Sequence, residues 1–181
     1  MRFASLILLV ATSPIVAGDP CVSGLQSGQK PGPYSFLVAT GPQRGQQTCC
    51  VCDTADKPAV IVFARKLTEP LGKLLSQNDR WLSGQPKDTA ACWMTVLGEK
   101  NVSLDALAKW SKDKGIKSLP VGVYDDPIGP PTYKLAEDAE VTVLLYANRK
   151  VVANFAYRAG ELNDDAIGQI DMSLSKLTGK K

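Results

Sequence analysis

The sequence predicts an α/β domain of three layers, running β-α-β-α-β and then a β-hairpin and a C-terminal helix, with an irregular leader in front. Three observations carry this. "PAVIVFA" (58–64) is an unbroken, largely β-branched run of the kind found in strands buried on both faces of a parallel sheet. Two such runs follow it, each after a segment of helical period. Finally, "VTVLLYA" and "KVVANFAYR" are separated only by Asn148 and Arg149, a connection so short that the two strands must be antiparallel.

In chain order, "MRFASLILLVATSPIVAG" has one basic residue, an apolar stretch and then small residues, which predicts a signal peptide over 1–18. The stretch falls short of the ~20 apolar residues a membrane span needs, and Pro14 breaks it. Residues 19–56 form the leader. They are rich in Gly, Pro, Gln and Ser around one short apolar stretch, Tyr34–Ala39, which is expected as at most a short edge strand, and they end in a cysteine cluster. The domain proper is expected over 57–181. "PAVIVFA" should be its central strand, with a helix after it capped by Thr68 and carrying Leu71, Leu74 and Leu75 on one face. "CWMTVLG" (92–98) is the second strand. Ser103 caps the next helix and Gly115 closes it. "LPVGVY" (119–124) is the third strand, and the proline-rich "DDPIGPPTY" a loop. For the last helix Asn163 is the N-cap, Asp164 and Asp165 suit its positive end, Leu162 and Ile167 can staple it, and Ile167, Ile170, Leu174 and Leu177 line one face.

Composition narrows the function. A net charge of +3 is too small for a nucleic-acid surface. With no histidine, the chain has no imidazole base, no His-ligated metal and no c-type haem attachment. An exported chain meets an oxidising compartment, where its five cysteines (Cys21, Cys49, Cys50, Cys52, Cys92) would tend to pair, with one left over.

From about Lys57 to Leu177 the chain resembles the peroxiredoxin and thiol-disulfide oxidoreductase branch of exported bacterial thioredoxin-like proteins. "KPAVIVFA" is similar to their first core strand, "LPVGVYDDPIGPPTYKL" to a strand ending in an acidic turn, and "VTVLLYANRKVVANFAYRAGELNDDAI" to the hairpin and final helix. The resemblance implies a reactive cysteine at the N-terminus of the helix after the first strand, but "RKLTEPLGKL" stands there and puts Leu71 in the nucleophile's place. It also implies a cis-proline before the hairpin, where this chain has Ala139 and Glu140.

That leaves the cluster "TCCVCD". Cys49 and Cys52 form a Cys-x-x-Cys pair, a spacing that lets two sulfurs meet across one turn. The pair precedes the strand, in an expected turn with no helix dipole to favour a thiolate and with Asp53 and Asp56 to oppose one. Three readings follow. In the structural reading, a bridge such as Cys21 to one of Cys49, Cys50 or Cys52 fastens the leader, worth ~3 to 4 kcal/mol for a loop of roughly thirty residues. In the redox reading, Cys49 and Cys52 are catalytic. In the third, the cluster binds Cu(I) or zinc, although no second Cys-x-x-Cys pair supports it. Cys92 and the three tryptophans are expected in the core beneath the helices, with Trp81 a candidate for partial exposure. Arg65 and Lys66 are expected as a solvated pair, or as an anion site at the mouth of the vestigial centre. The sequence thus points to an exported, non-catalytic binding or scaffold module with structural cysteines, no cofactor, no membrane span and no nucleic-acid partner. Its alternative is an oxidoreductase with a displaced Cys49/Cys52 pair and a thiol-disulfide redox partner.

Overall fold

In a computed structural model of the chain, residues 19–98 and 103–178 are described. The expected signal peptide lies outside them, as do Asn101 and Val102 of the "NVS" triplet, which fits a glycosylation pattern. The described residues contain no helix long and apolar enough to cross a membrane.

One mixed sheet organises the molecule. Its strands are β1 (Phe36–Val38), β2 (Gln47–Thr48), β3 (Ala59–Ala64), β4 (Ala91–Leu97), β5 (Val121–Tyr124), β6 (Val141–Ala147) and β7 (Lys150–Tyr157), in the order β2-β1-β5-β4-β3-β6-β7. The helices are α1 (Cys50–Thr54), α2 (Glu69–Ser83), α3 (Leu104–Asp113) and α4 (Asp164–Leu177). β3, β4 and β5 run parallel through α2 and α3, and β6 returns antiparallel against β3. All six residues of β3 are buried, as its apolar run requires, although the middle place in the sheet falls to β4. The expected caps form: Thr68, Ser103 and Asn163 accept hydrogen bonds from the amides of Leu71, Ala106 and Ala166, and Gly115 follows α3 with φ +73°. Asn148 and Arg149, both at positive φ, make the hairpin turn whose twist matches its strands.

The two faces of the sheet are covered differently. On one face Val60, Val62, Met94, Val121 and Val143 meet Leu71, Leu74 and Leu75 of α2, Leu107 of α3 and Ile167, Ile170 and Leu174 of α4. All three long helices therefore share one side. On the other face Ala59, Ile61, Phe63, Trp93 and Leu144 meet Leu25, Tyr34, Phe36, Tyr133 and Leu135, which come from the leader and the proline-rich loop. Trp93 is buried as expected but lies under the leader, not under the helices; a strand buried on both sides carries no pattern that assigns its faces. Its indole N–H donates to the Tyr34 hydroxyl at 2.8 Å, which also bonds Thr95 Oγ1 at 2.9 Å.

The leader is thus more ordered than its composition suggests. β1 is an interior strand rather than an edge: it pairs with β5 on one side and β2 on the other. Close approach makes this possible, since a Cβ on Gly122 would lie 2.4 Å from both Leu37 O and the Phe36 ring. Further back, the Ser23 hydroxyl bonds Thr142 at 2.8 Å, Asn154 donates to the carbonyls of Ser23 and Leu25, and Gly28 and Gln29 pair with Val151 of β7.

Candidate functional site

The place where the resemblance implies a nucleophile is closed. Leu71 is fully buried in the core in the first turn of α2. Lys66 is exposed as expected and Arg65 half-buried, but Arg65 is not free for an anion, because its guanidinium donates to the carbonyls of Ala139 and Ala136 at 3.0 Å and to that of Pro127. Lys66 reaches Glu140 at 3.7 Å. No peptide bond among the described residues is cis. This end of β3 holds a packed loop and no reactive side chain.

The cysteines gather at the opposite end of the same strand. Residues 50–54, expected as a turn, form the single-turn helix α1 with Cys49 as its N-cap. Cys, Val and Thr are poor helix formers, and so short a helix has little dipole, so α1 exists by its cap and by the packing of Cys50 and Val51 against the leader-side core. Cys49 and Cys52 are joined as a disulfide. The Cys52 amide donates to the Cys49 sulfur at 3.3 Å and to its carbonyl at 3.0 Å. Cys52 is exposed and Cys49 partly covered.

The remaining cysteines stay thiols. The leader-fastening bridge from Cys21 does not form: Cys21 sits beside Asp138 and Arg158, at the far end of the β6–β7 hairpin from the cluster. A strand of seven residues spans about 20 Å, well beyond the ~7 Å between Cα atoms that a disulfide tolerates. Cys50, vicinal to Cys49, is also unpaired. Burial, and then the Asp53 carboxylate, push its thiol up to about 12. Cys92 is buried at the start of β4, and loss of solvent raises its thiol even further. Both are poor nucleophiles at neutral pH. Among the described residues no three or more His, Cys, Asp or Glu side chains converge to hold a metal, so the metal reading finds no ligand set there.

A cavity of about 220 Å³ opens beside the disulfide. Cys52, Val51 and Ala55 form one side of it, Pro31 and Pro33 of the leader a second, and Tyr146 and Arg149 of the hairpin a third, with Lys30 at its border. The hairpin tip is fixed there because the Asn148 amide donates to Asp56 O at 3.1 Å and Arg149 Nε to the Asp56 carboxylate at 2.7 Å. The Asp56 charge that the sequence sets against a thiolate is therefore partly neutralised, whereas Asp53 forms no ion pair among the described residues. Sequence reasoning singled out Cys49 and Cys52 but missed Lys30, Pro31, Pro33, Tyr146 and Arg149. Their only advance signal is the two-residue hairpin, which sends Arg149 back toward the start of β3.

No protein-family model matches the chain, and no curated protein sequence does. Solved structures do. A candidate protein disulfide isomerase of Bacteroides thetaiotaomicron matches with a TM-score of 0.64 at 15% identity, over 86% of this chain and 92% of that one. The peroxidoxin BcpB of Mycobacterium tuberculosis matches with 0.62 at 14% identity, over 87% and 99%. A candidate thiol:disulfide interchange protein DsbE of Chlorobium tepidum matches with 0.57 at 18% identity, over 83% and 99%. The chain has the thioredoxin-like fold of these bacterial proteins, with its Cys-x-x-Cys disulfide at the opposite end of the first core strand from the position that the resemblance implies.

Proposed function

We propose that the chain is a thiol-disulfide oxidoreductase acting through Cys49 and Cys52, in preference to a non-catalytic scaffold with structural cysteines. The observation that carries this is the span of the bridge. It joins residues three apart within one helical turn and so ties no distant segments together. The leader is held instead by β1, β2 and the Ser23, Asn154 and Val151 hydrogen bonds, none of which involves a cysteine. A fastening role has little left to do.

The geometry also supports a direction of attack. A partner thiolate meets the exposed Cys52 sulfur, a bond forms between them, and the Cys49–Cys52 bond breaks with Cys49 leaving as thiolate. The Cys52 amide already points at the Cys49 sulfur and stabilises that departing charge, which favours Cys49 as the leaving group. A second thiolate then attacks the partner's sulfur in the mixed disulfide and releases Cys52. Two electrons pass from two thiols to the protein, and each protein thiolate takes its proton from water. Cys50 and Cys92, with raised thiols, stand outside this exchange. We further propose export of the chain, which the apolar stretch at its start supports and which cell fractionation tests.

Equilibration of the purified protein in glutathione and dithiothreitol buffers tests the function. A reduction potential between about −120 and −270 mV, the range of exchange-active pairs, is expected; a value below about −300 mV, where structural disulfides lie, overturns the proposal.

A further inference from the structure

We propose that the cavity beside Cys52 selects small thiols and disulfides that carry carboxylates, a substrate preference that rests on the exchange function above. Size is the first ground. At about 220 Å³ the cavity is below the ~300 Å³ at which drug-sized ligand sites begin, so it takes a molecule of one or two amino-acid residues beside the sulfur. Charge is the second. The cavity's charged lining residues, Lys30 and Arg149, are both cationic. Asp56 offsets part of the Arg149 charge by accepting from Arg149 Nε, which leaves the two terminal nitrogens of that guanidinium without a hydrogen-bond partner among the described residues. Polar chemistry is the third ground. The Tyr146 hydroxyl, on a residue 2% exposed, sits beside the Thr54 hydroxyl, which sends its own proton to Cys50 O at 2.6 Å and keeps its oxygen able to accept. Pro31, Pro33, Val51 and Ala55 supply an apolar wall for a short carbon chain. One carboxylate on the ligand could meet Lys30 or Arg149 while its sulfur reaches Cys52.

The exchange balances as before: two molecules of thiol become one small disulfide, and Cys49–Cys52 becomes a dithiol. The test measures the rate of Cys49–Cys52 reduction by alkylation and mass spectrometry, using 3-mercaptopropionate, 2-mercaptoethanol and cysteamine as anionic, neutral and cationic probes. Rates are corrected for thiolate fraction and nucleophilicity. The anionic probe is expected to react about three- to tenfold faster than the neutral one and the cationic probe slower. That order should flatten in 0.5 M salt and in Lys30→Gln with Arg149→Gly, and sharpen in Asp56→Asn, which frees the Arg149 charge. Glycine suits the positive φ of position 149, so the paired variant keeps its hairpin turn. Equal corrected rates for the three probes overturn the selectivity while leaving the exchange function standing. Reduction by no probe faster than that of a free linear Cys-x-x-Cys peptide overturns the function itself.

Discussion

Replacing Cys52 with alanine opens a loop closed over a separation of three residues. For a loop that short, chain entropy gives a contribution of about 2 kcal/mol at 25 °C, against about 3.6 kcal/mol for the thirty-residue loop of a leader-fastening bridge. Through linkage the same quantity separates the oxidised and reduced proteins in unfolding free energy, and 2 kcal/mol corresponds to about 40 mV for a two-electron couple. Urea unfolding of the oxidised protein, the reduced protein and Cys52→Ala should therefore place the last two within about 1 kcal/mol of each other. Both should lie about 2 kcal/mol below the oxidised form, with Tm lowered by about 4 to 8 °C for a chain of this length. Turnover in a coupled thiol-disulfide assay should vanish in Cys52→Ala while its circular dichroism stays native. A loss above about 4 kcal/mol, or a variant that fails to fold, would refute the reasoning, because the bridge would then be holding together something larger than α1.

Two other perturbations probe the leader and the buried thiols. Gly122→Ala puts a Cβ against Leu37 O and the Phe36 ring, and should cost about 1 to 3 kcal/mol by overpacking. Hydrogen exchange should show the loss as faster exchange at Ala39, whose amide donates to Val121 O across the β1–β5 seam, whereas unchanged protection would mean that β1 does not depend on that close approach. For Cys50 the folded thiol is held near 12 against an ordinary value of 9.0. The folded state therefore keeps a proton that the unfolded state releases, and stability is full below pH 9 and falls as pH rises toward 12, by up to about 1.4 kcal/mol per pH unit. Denaturant midpoints measured across that window should decline less steeply in Cys50→Ala than in the parent protein.

Much of the sheet was legible because β3, β4 and β6 are apolar runs that only a doubly covered sheet can bury, and because Thr68, Ser103 and Asn163 are capping residues in capping positions. The hairpin was legible from two residues. What stayed hidden depends on contacts between distant parts of the chain. β1 has three residues, and its place inside the sheet depends on Gly122, more than eighty positions away. The second face depends on Tyr34 meeting Trp93, and no local pattern in "KPGPYSF" announces that pairing. α1 was hidden for a related reason: its residues disfavour a helix, and its turn is held by the Cys49 cap and by packing that the sequence does not display.

The site stands where it does for the same reason. At the helix end of β3 the loop before the hairpin folds over the strand, Arg65 clamps its carbonyls, and Leu71 fills the core, so a cysteine installed at position 71 would be inaccessible to a partner. At the other end the leader supplies what the αβ core lacks there. Pro31 and Pro33 build a wall, Lys30 brings a charge, and residues 49–52 place an exposed sulfur next to both. The hairpin turn closes the third side through Asp56. A leader anchored only by a disulfide could not hold such a cavity while that disulfide was being reduced. Here the anchors are strand pairing and hydrogen bonds independent of sulfur, so Cys49 and Cys52 can separate without the cavity walls coming apart.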